Sequence, residues 1–207
     1  MRSSILILAC YFTVWAGLHS FLASQRVKVW AEQTVGLAIR RWYRLIYNAA
    51  AAITISPMLI LAIVLPDRGL YVAPPPWRWA MIGIQALALG GLGWTVLRTG
   101  PLHFAGLEQI WTKQPAAESP LQVRGLYCYV RHPLYMFSLI LLWLTPTMTA
   151  NLLILYALTT LYFLVGSVHE ERRLLAEFGE AYRDYQQRVP RLIPRLRRCY
   201  PDSDRAD

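Results

Sequence analysis

The sequence predicts an all-α, multi-pass transmembrane helical bundle, and three observations carry that prediction. Hydrophobic residues fill 56% of the 207 positions and charged residues only 16%, against about 25% charged in an ordinary soluble domain. The apolar residues come in blocks close to the ~20 residues that a bilayer crossing needs. The charges fall in the gaps between those blocks.

The first block, Ile5–Ala23, follows a single basic residue, Arg2, and contains Trp15 and His19. No small-residue cleavage signal precedes Gln25-Arg26, so it reads as a retained span and not as a signal peptide. A basic connection follows, with Arg26, Lys28, Arg40, Arg41 and Arg44 against Glu32. The second span, Leu45–Leu65, closes at Pro66-Asp67. The loop Arg68–Arg78 holds Pro74-Pro75-Pro76, with Trp77 and Trp79 beside it, a stiff segment of interfacial character. In the third span, Trp79–Leu97, the glycines 83, 90, 91 and 93 allow close helix approach. Residues 98–133 form a polar connection too long to be a turn. Two shorter apolar runs, Leu134–Thr145 and Leu152–Gly166, flank Pro146–Asn151. At ~18–23 Å of helix each, they fall short of ~30 Å of hydrocarbon, and read as a hairpin that extends into its flanks or barely crosses.

From His169 to Gln187 the pattern changes. Leu174, Leu175, Phe178, Ala181, Tyr182 and Tyr185 recur at three- and four-residue steps, as in an amphipathic helix with a packed tyrosine face. Pro190 and Pro194 end it, and residues 200–207 are expected to be disordered. The result is a single domain over residues 1–207 with about five spans, the last two as a hairpin. With the N-terminus outside, all of the 21 lysines and arginines except Arg2, Arg68 and Arg78 lie on the cytosolic side. That orientation puts the C-terminal helix in the cytosol and the chain in the inner cell membrane. The net charge of +9 follows this topology, so the expected partner is the lipid bilayer, with no nucleic acid. Arg191, Arg195, Arg197 and Arg198 are expected to meet anionic headgroups. Cys10, Cys128 and Cys199 show no CxxC spacing, which argues against a disulfide framework or a metal site and makes each a small apolar residue.

The chemistry-bearing residues lie late in the chain. Gly125-Leu126-Tyr127-Cys128-Tyr129-Val130-Arg131-His132-Pro133-Leu134-Tyr135 precedes the hairpin. His169-Glu170-Glu171 follows it, then Phe178-Gly179-Glu180-Ala181-Tyr182-Arg183-Asp184-Tyr185 and Arg188-Val189-Pro190. Pro133 lacks an N–H and pushes His132 out of helical geometry, so a helix starts there. A hairpin joins its own ends, which should bring His132 to Glu170 and Glu171. Two adjacent carboxylates at the edge of an apolar run are costly to bury without partners.

This arrangement resembles the isoprenylcysteine carboxyl methyltransferase and phospholipid methyltransferase group of membrane enzymes. Their signature is Arg-His-Pro-x-Tyr, a hairpin, Glu-Glu, Phe-Gly-x-x-Tyr-x-x-Tyr and Val-Pro, and every element occurs here in order. The resemblance implies S-adenosylmethionine as cofactor, held within residues 98–195. It places Gly125, Tyr127, Tyr129, Arg131, His132, Pro133, Tyr135, Glu170 and Glu171 at that cofactor, with Glu170 also a catalytic candidate. Such a ligand needs carboxylates for its ammonium or ribose hydroxyls and aromatic rings for its sulfonium; Tyr127, Tyr129, Tyr135 and Trp111 are the candidate rings. In the N-terminal half, Leu18-His19-Ser20, Arg26-Val27-Lys28 and Tyr43–Asn48 resemble the NnrU-like branch. Gly106-Leu107-x-Gln109-x-Trp111 and Leu144–Thr149 are similar to bacterial methanethiol S-methyltransferases. The expected acceptor is therefore small or lipophilic, a thiol in that last branch, and His19 becomes a candidate catalytic base within a span beside its plainer role as a packing residue. His103 and His169 read as packing residues. Prenylcysteine carboxyl or phospholipid amine methylation, and a non-catalytic accessory role, are the competing functions. The prenylcysteine branch is expected to carry an arginine about one turn before the acidic pair, where this chain has Val165-Gly166-Ser167-Val168.

Overall fold

A computed structural model describes residues 2–36, 38–100 and 121–194. It confirms an all-α membrane bundle, with one small sheet added. The helices are α1 (Arg2–Ala23), α2 (Gln25–Val35), α3 (Ile39–Val64), α4 (Pro75–Thr99), α5 (Pro133–Trp143), α6 (Ala150–Phe178) and α7 (Glu180–Arg188). The strands are β1 (Gly69–Val72) and β2 (Thr147–Thr149). Four helices, α1, α3, α4 and α6, are long and apolar enough to cross a bilayer. Their outward side chains are apolar, with Ile63 83% and Leu87 77% exposed, as lipid-facing surface requires. The described residues gather into two compact units, one from residues 2–36, 38–78, 96–100 and 146–159, the other from 79–95, 121–145 and 160–194.

In the first unit, α1 and α3 are joined by a ladder of polar contacts. Tyr11, Trp15 and His19 recur every four residues and so share one face of α1. The Tyr11 hydroxyl donates to the Thr54 carbonyl at 2.7 Å, and the Trp15 indole to the Thr54 hydroxyl at 3.1 Å. His19 Nε2 and the Tyr47 hydroxyl lie 2.6 Å apart, and the Tyr43 hydroxyl reaches the Leu22 carbonyl at 2.5 Å. Between apolar spans, where burial no longer drives association, such bonds hold helices together.

β1 and β2 pair antiparallel, Tyr71 opposite Met148 and Val72 opposite Thr147. Asp67 then caps α6, accepting the Asn151 N–H at 3.0 Å. Burial pushes its carboxyl pKa up, but the Thr149 hydroxyl and the N–H groups of Asn151, Arg68 and Ala150 outweigh it, and the net direction is down. An anion at a helix N-terminus is stabilised in this way.

The second unit packs α5 against α4. An ideal Cβ on Gly91 would sit 2.4 Å from the Phe137 ring, so only glycine permits this approach. Gly91→Val should therefore lower stability by about 1–3 kcal/mol, the usual cost of overpacking. The control Gly93→Ala, with no atom within 4 Å of its Cβ, should not lower the thermal unfolding temperature in detergent, since alanine is the better helix former. Helix α5 is short, and its end leaves carbonyls to satisfy. The Gln85 amide donates to the Leu141 carbonyl at 2.7 Å, and the Trp143 indole to the Thr160 hydroxyl at 2.9 Å.

Two expectations need correction. The basic connection after α1 contains a helix, α2, started by Ser24, whose hydroxyl accepts the Val27 N–H. The last apolar run and the amphipathic helix are not separate elements: α6 runs unbroken for 29 residues. Gly166-Ser167 lies inside it, with the buried Ser167 hydroxyl bonded back to the Leu164 carbonyl. The break comes at Gly179, whose φ of +56° belongs to the left-handed region. Cys10 is free, and Cys128 is buried.

Candidate active site

Pro133 occupies the first turn of α5 and His132 caps it in non-helical geometry, φ −123° and ψ 68°, as the Arg-His-Pro pattern predicts. The backbone just before the helix is clipped to the chain that follows α7. The Arg131 N–H donates to the Pro190 carbonyl at 2.9 Å and the His132 N–H to the Arg191 carbonyl at 3.1 Å. The Arg131 guanidinium adds bonds to the Gln186 and Val189 carbonyls, at 2.6 and 2.8 Å. Cationic donors satisfy orphan carbonyls at a helix end in this way.

Beneath the clip, Tyr182, Tyr185 and Val189 form a buried cluster with Leu121, Val123, Leu174, Leu175 and Phe178 around them. The Tyr185 hydroxyl donates to the Tyr127 carbonyl at 2.7 Å. Burial raises the pKa of both phenols, so they stay neutral packing residues, as expected for this pair. The chain enters the segment through Gly125, whose φ is +65°.

The two adjacent acids have different environments. Glu171 is 3% exposed and surrounded by donors. Its Oε1 accepts from Arg131 Nε at 2.9 Å and Arg191 Nε at 3.1 Å, with His132 Nε2 also at 3.1 Å. Its Oε2 accepts from Arg191 Nη2 at 2.8 Å and Gln186 Nε2 at 3.1 Å. The hydrogen bond to Glu171 raises the Arg191 guanidinium pKa still further. A carboxylate between two guanidiniums is an anion, so His132 Nε2 carries the proton of that contact.

Glu170 keeps a 39% exposed side chain. Its Oε2 accepts from the Tyr135 hydroxyl at 3.2 Å and lies 3.6 Å from His132 Nδ1. Behind it stand three near-parallel rings: His132 on Tyr135 with centroids 5.2 Å apart, and Tyr135 on Phe163 at 4.8 Å. The site thus pairs one available carboxylate with a rigid aromatic wall.

The structure brings His132, Tyr135, Arg131, Glu170 and Glu171 together. Tyr129 is 40% exposed on the same segment, and Tyr127 is tied in through its carbonyl. His19 belongs to the other unit, stacked on Trp15 at 4.9 Å and bonded to Tyr47. Trp111 and His103 lie outside the described residues, as do Arg195, Arg197 and Arg198. Sequence reasoning missed Gln186 and Phe163, and it sent Arg191 to the lipid headgroups. Phe163 had a usable signal, since it lies seven residues before Glu170 and so on the same helix face. Arg191 had none beyond its place after Val189-Pro190.

A family model described as "Protein of unknown function (DUF1295)" matches residues 6–189. This chain belongs to the DUF1295 family. Among the relatives of this DUF1295 protein is Methanethiol S-methyltransferase 1 of Bradyrhizobium diazoefficiens, 30% identical over 198 residues, covering 92% of this chain and 67% of the relative. The Methanethiol S-methyltransferase of Mycobacterium tuberculosis is 35% identical over 190 residues, 87% of this chain and 74% of the relative. A Nurim homolog of Drosophila pseudoobscura pseudoobscura is 30% identical over 164 residues, 72% of this chain and 61% of the relative. These relatives fit the membrane methyltransferase group that the motifs resemble. No solved structure matches this DUF1295 chain.

Proposed function

We propose that this protein is an integral membrane methyltransferase that uses S-adenosylmethionine to methylate a small thiol of the methanethiol type. The observation that carries the proposal is the half-exposed Glu170 carboxylate, oriented by Tyr135 and His132 and backed by stacked rings. That donor set fits the ligand: a free anionic acceptor suits an ammonium or ribose hydroxyls, and electron-rich rings suit a sulfonium. The relatives named as methanethiol S-methyltransferases favour a thiol over a prenylated protein or a phospholipid.

Within this proposal, Glu170, His132, Tyr135 and Tyr129 touch the cofactor, and Gly125, Tyr127 and Pro133 shape the segment that carries them. Arg131 and Glu171 act as positioning residues, because their polar atoms serve each other and the chain around α7. When bound, S-adenosylmethionine supplies an electrophilic methyl group. What remains for the protein is positioning, exclusion of water and acceptance of the thiol proton. In this proposal the protein lies in the inner cell membrane, and its C-terminal helix is cytosolic, the side that the basic residues of the sequence favour.

The test uses the purified chain in detergent with methyl-labelled S-adenosylmethionine and a panel of thiols, phospholipids and quinols. Label should pass to short alkyl thiols. Transfer to lipids alone would reject the thiol, and tight cofactor binding with no transfer would favour the accessory role.

A further inference from the structure

The segment joining α1 to α3 plays no part in that site, yet it is built. The inner face of α2 is set by Val27 and by Ala31, which is buried. On its outer face Arg26, Val29, Trp30 and Gln33 fall on one stripe at three- and four-residue spacing. Val29 is 48% and Trp30 63% exposed. Arg26 is exposed and pairs with no carboxylate among the described residues. The one acid of this stretch, Glu32, is committed: Arg40 Nε meets its Oε1 at 2.7 Å. That hydrogen bond holds its carboxyl below the usual range. The surface therefore carries cationic excess, an exposed tryptophan and apolar flanks.

That combination suits a membrane–water interface, where tryptophan and aliphatic groups enter the headgroup boundary and basic residues remain with the phosphates. We propose that α2 and the start of α3 form a docking surface for acidic phospholipid headgroups. In this arrangement Val29 and Trp30 insert and Arg26, on the same stripe, faces the phosphates. The basic-residue distribution puts this segment on the cytosolic side, where acidic lipids provide a negative surface.

The experiment is lipid retention by native mass spectrometry. The purified chain in neutral detergent is titrated with phosphatidylglycerol or phosphatidylcholine. Wild type should retain the acidic lipid over the neutral one by about tenfold, and the preference should shrink as salt is raised. In Arg26→Gln the preference should fall below about threefold. The control Arg68→Gln/Arg78→Gln, in the loop between α3 and α4, should keep it. Trp30→Ser should lower retention of the acidic lipid without any change of charge. Equal retention of both lipids by wild type would overturn the proposal, as would an unchanged preference in the α2 variant or an equal loss in the control. Displacement of the lipid by soluble glycerol phosphate at equal concentration would also overturn it, by showing a free-phosphate site.

Discussion

Glu170→Gln is expected to weaken S-adenosylmethionine binding by on the order of 10- to 100-fold, the worth of about 1.5–3 kcal/mol for a hydrogen bond to a charged group. The side chain is 39% exposed, so losing its charge strands no buried partner. His132 keeps its contact with Glu171 at 3.1 Å, and Tyr135 keeps an amide oxygen to donate to. Calorimetric titration in detergent reads the affinity, and thermal unfolding checks that the fold is intact. Undiminished affinity would remove Glu170 from the cofactor site.

Glu171→Ala should have the opposite profile and damage the fold itself. The carboxylate sits between Arg131 and Arg191 with His132 and Gln186 also upon it. Its removal leaves two guanidiniums facing each other with no anion between. Breaking a buried charge network on one side costs about 3–5 kcal/mol, which lowers the unfolding temperature by roughly 10 °C in a chain of this size. The clip between residues 131–132 and 190–191 should open with it, exposing the Tyr182–Tyr185 cluster to proteolysis or hydrogen exchange. If the variant unfolds at the wild-type temperature yet fails to bind cofactor, then Glu171 is a ligand and not a support. The two neighbouring acids thus make a matched experiment: one substitution should cost affinity at constant stability, the other stability first.

How much of this was legible in advance varies with the range of the interaction. Span positions follow from apolar block length, and the start of α5 at Pro133 follows from a missing N–H; both are local and survive any tertiary arrangement. The end of α6 was misplaced because the apolar run stops at Gly166 while the helix runs on into the charged stretch as far as Phe178. The residue that reverses the backbone is Gly179. Helix α2 was hidden by its charges, which in a one-dimensional reading mark a loop.

The membrane class, the Arg-His-Pro and Glu-Glu elements and their convergence were written in composition, spacing and the reach of a hairpin. The division of labour within Glu170-Glu171 was not. Successive helical residues point about 100° apart, so one of two identical side chains turns inward and the other outward. What packs against the helix settles which is which. Here the inward acid meets Arg191, 20 residues further along the chain, and no pattern along the sequence announces a partner that only folding brings into reach.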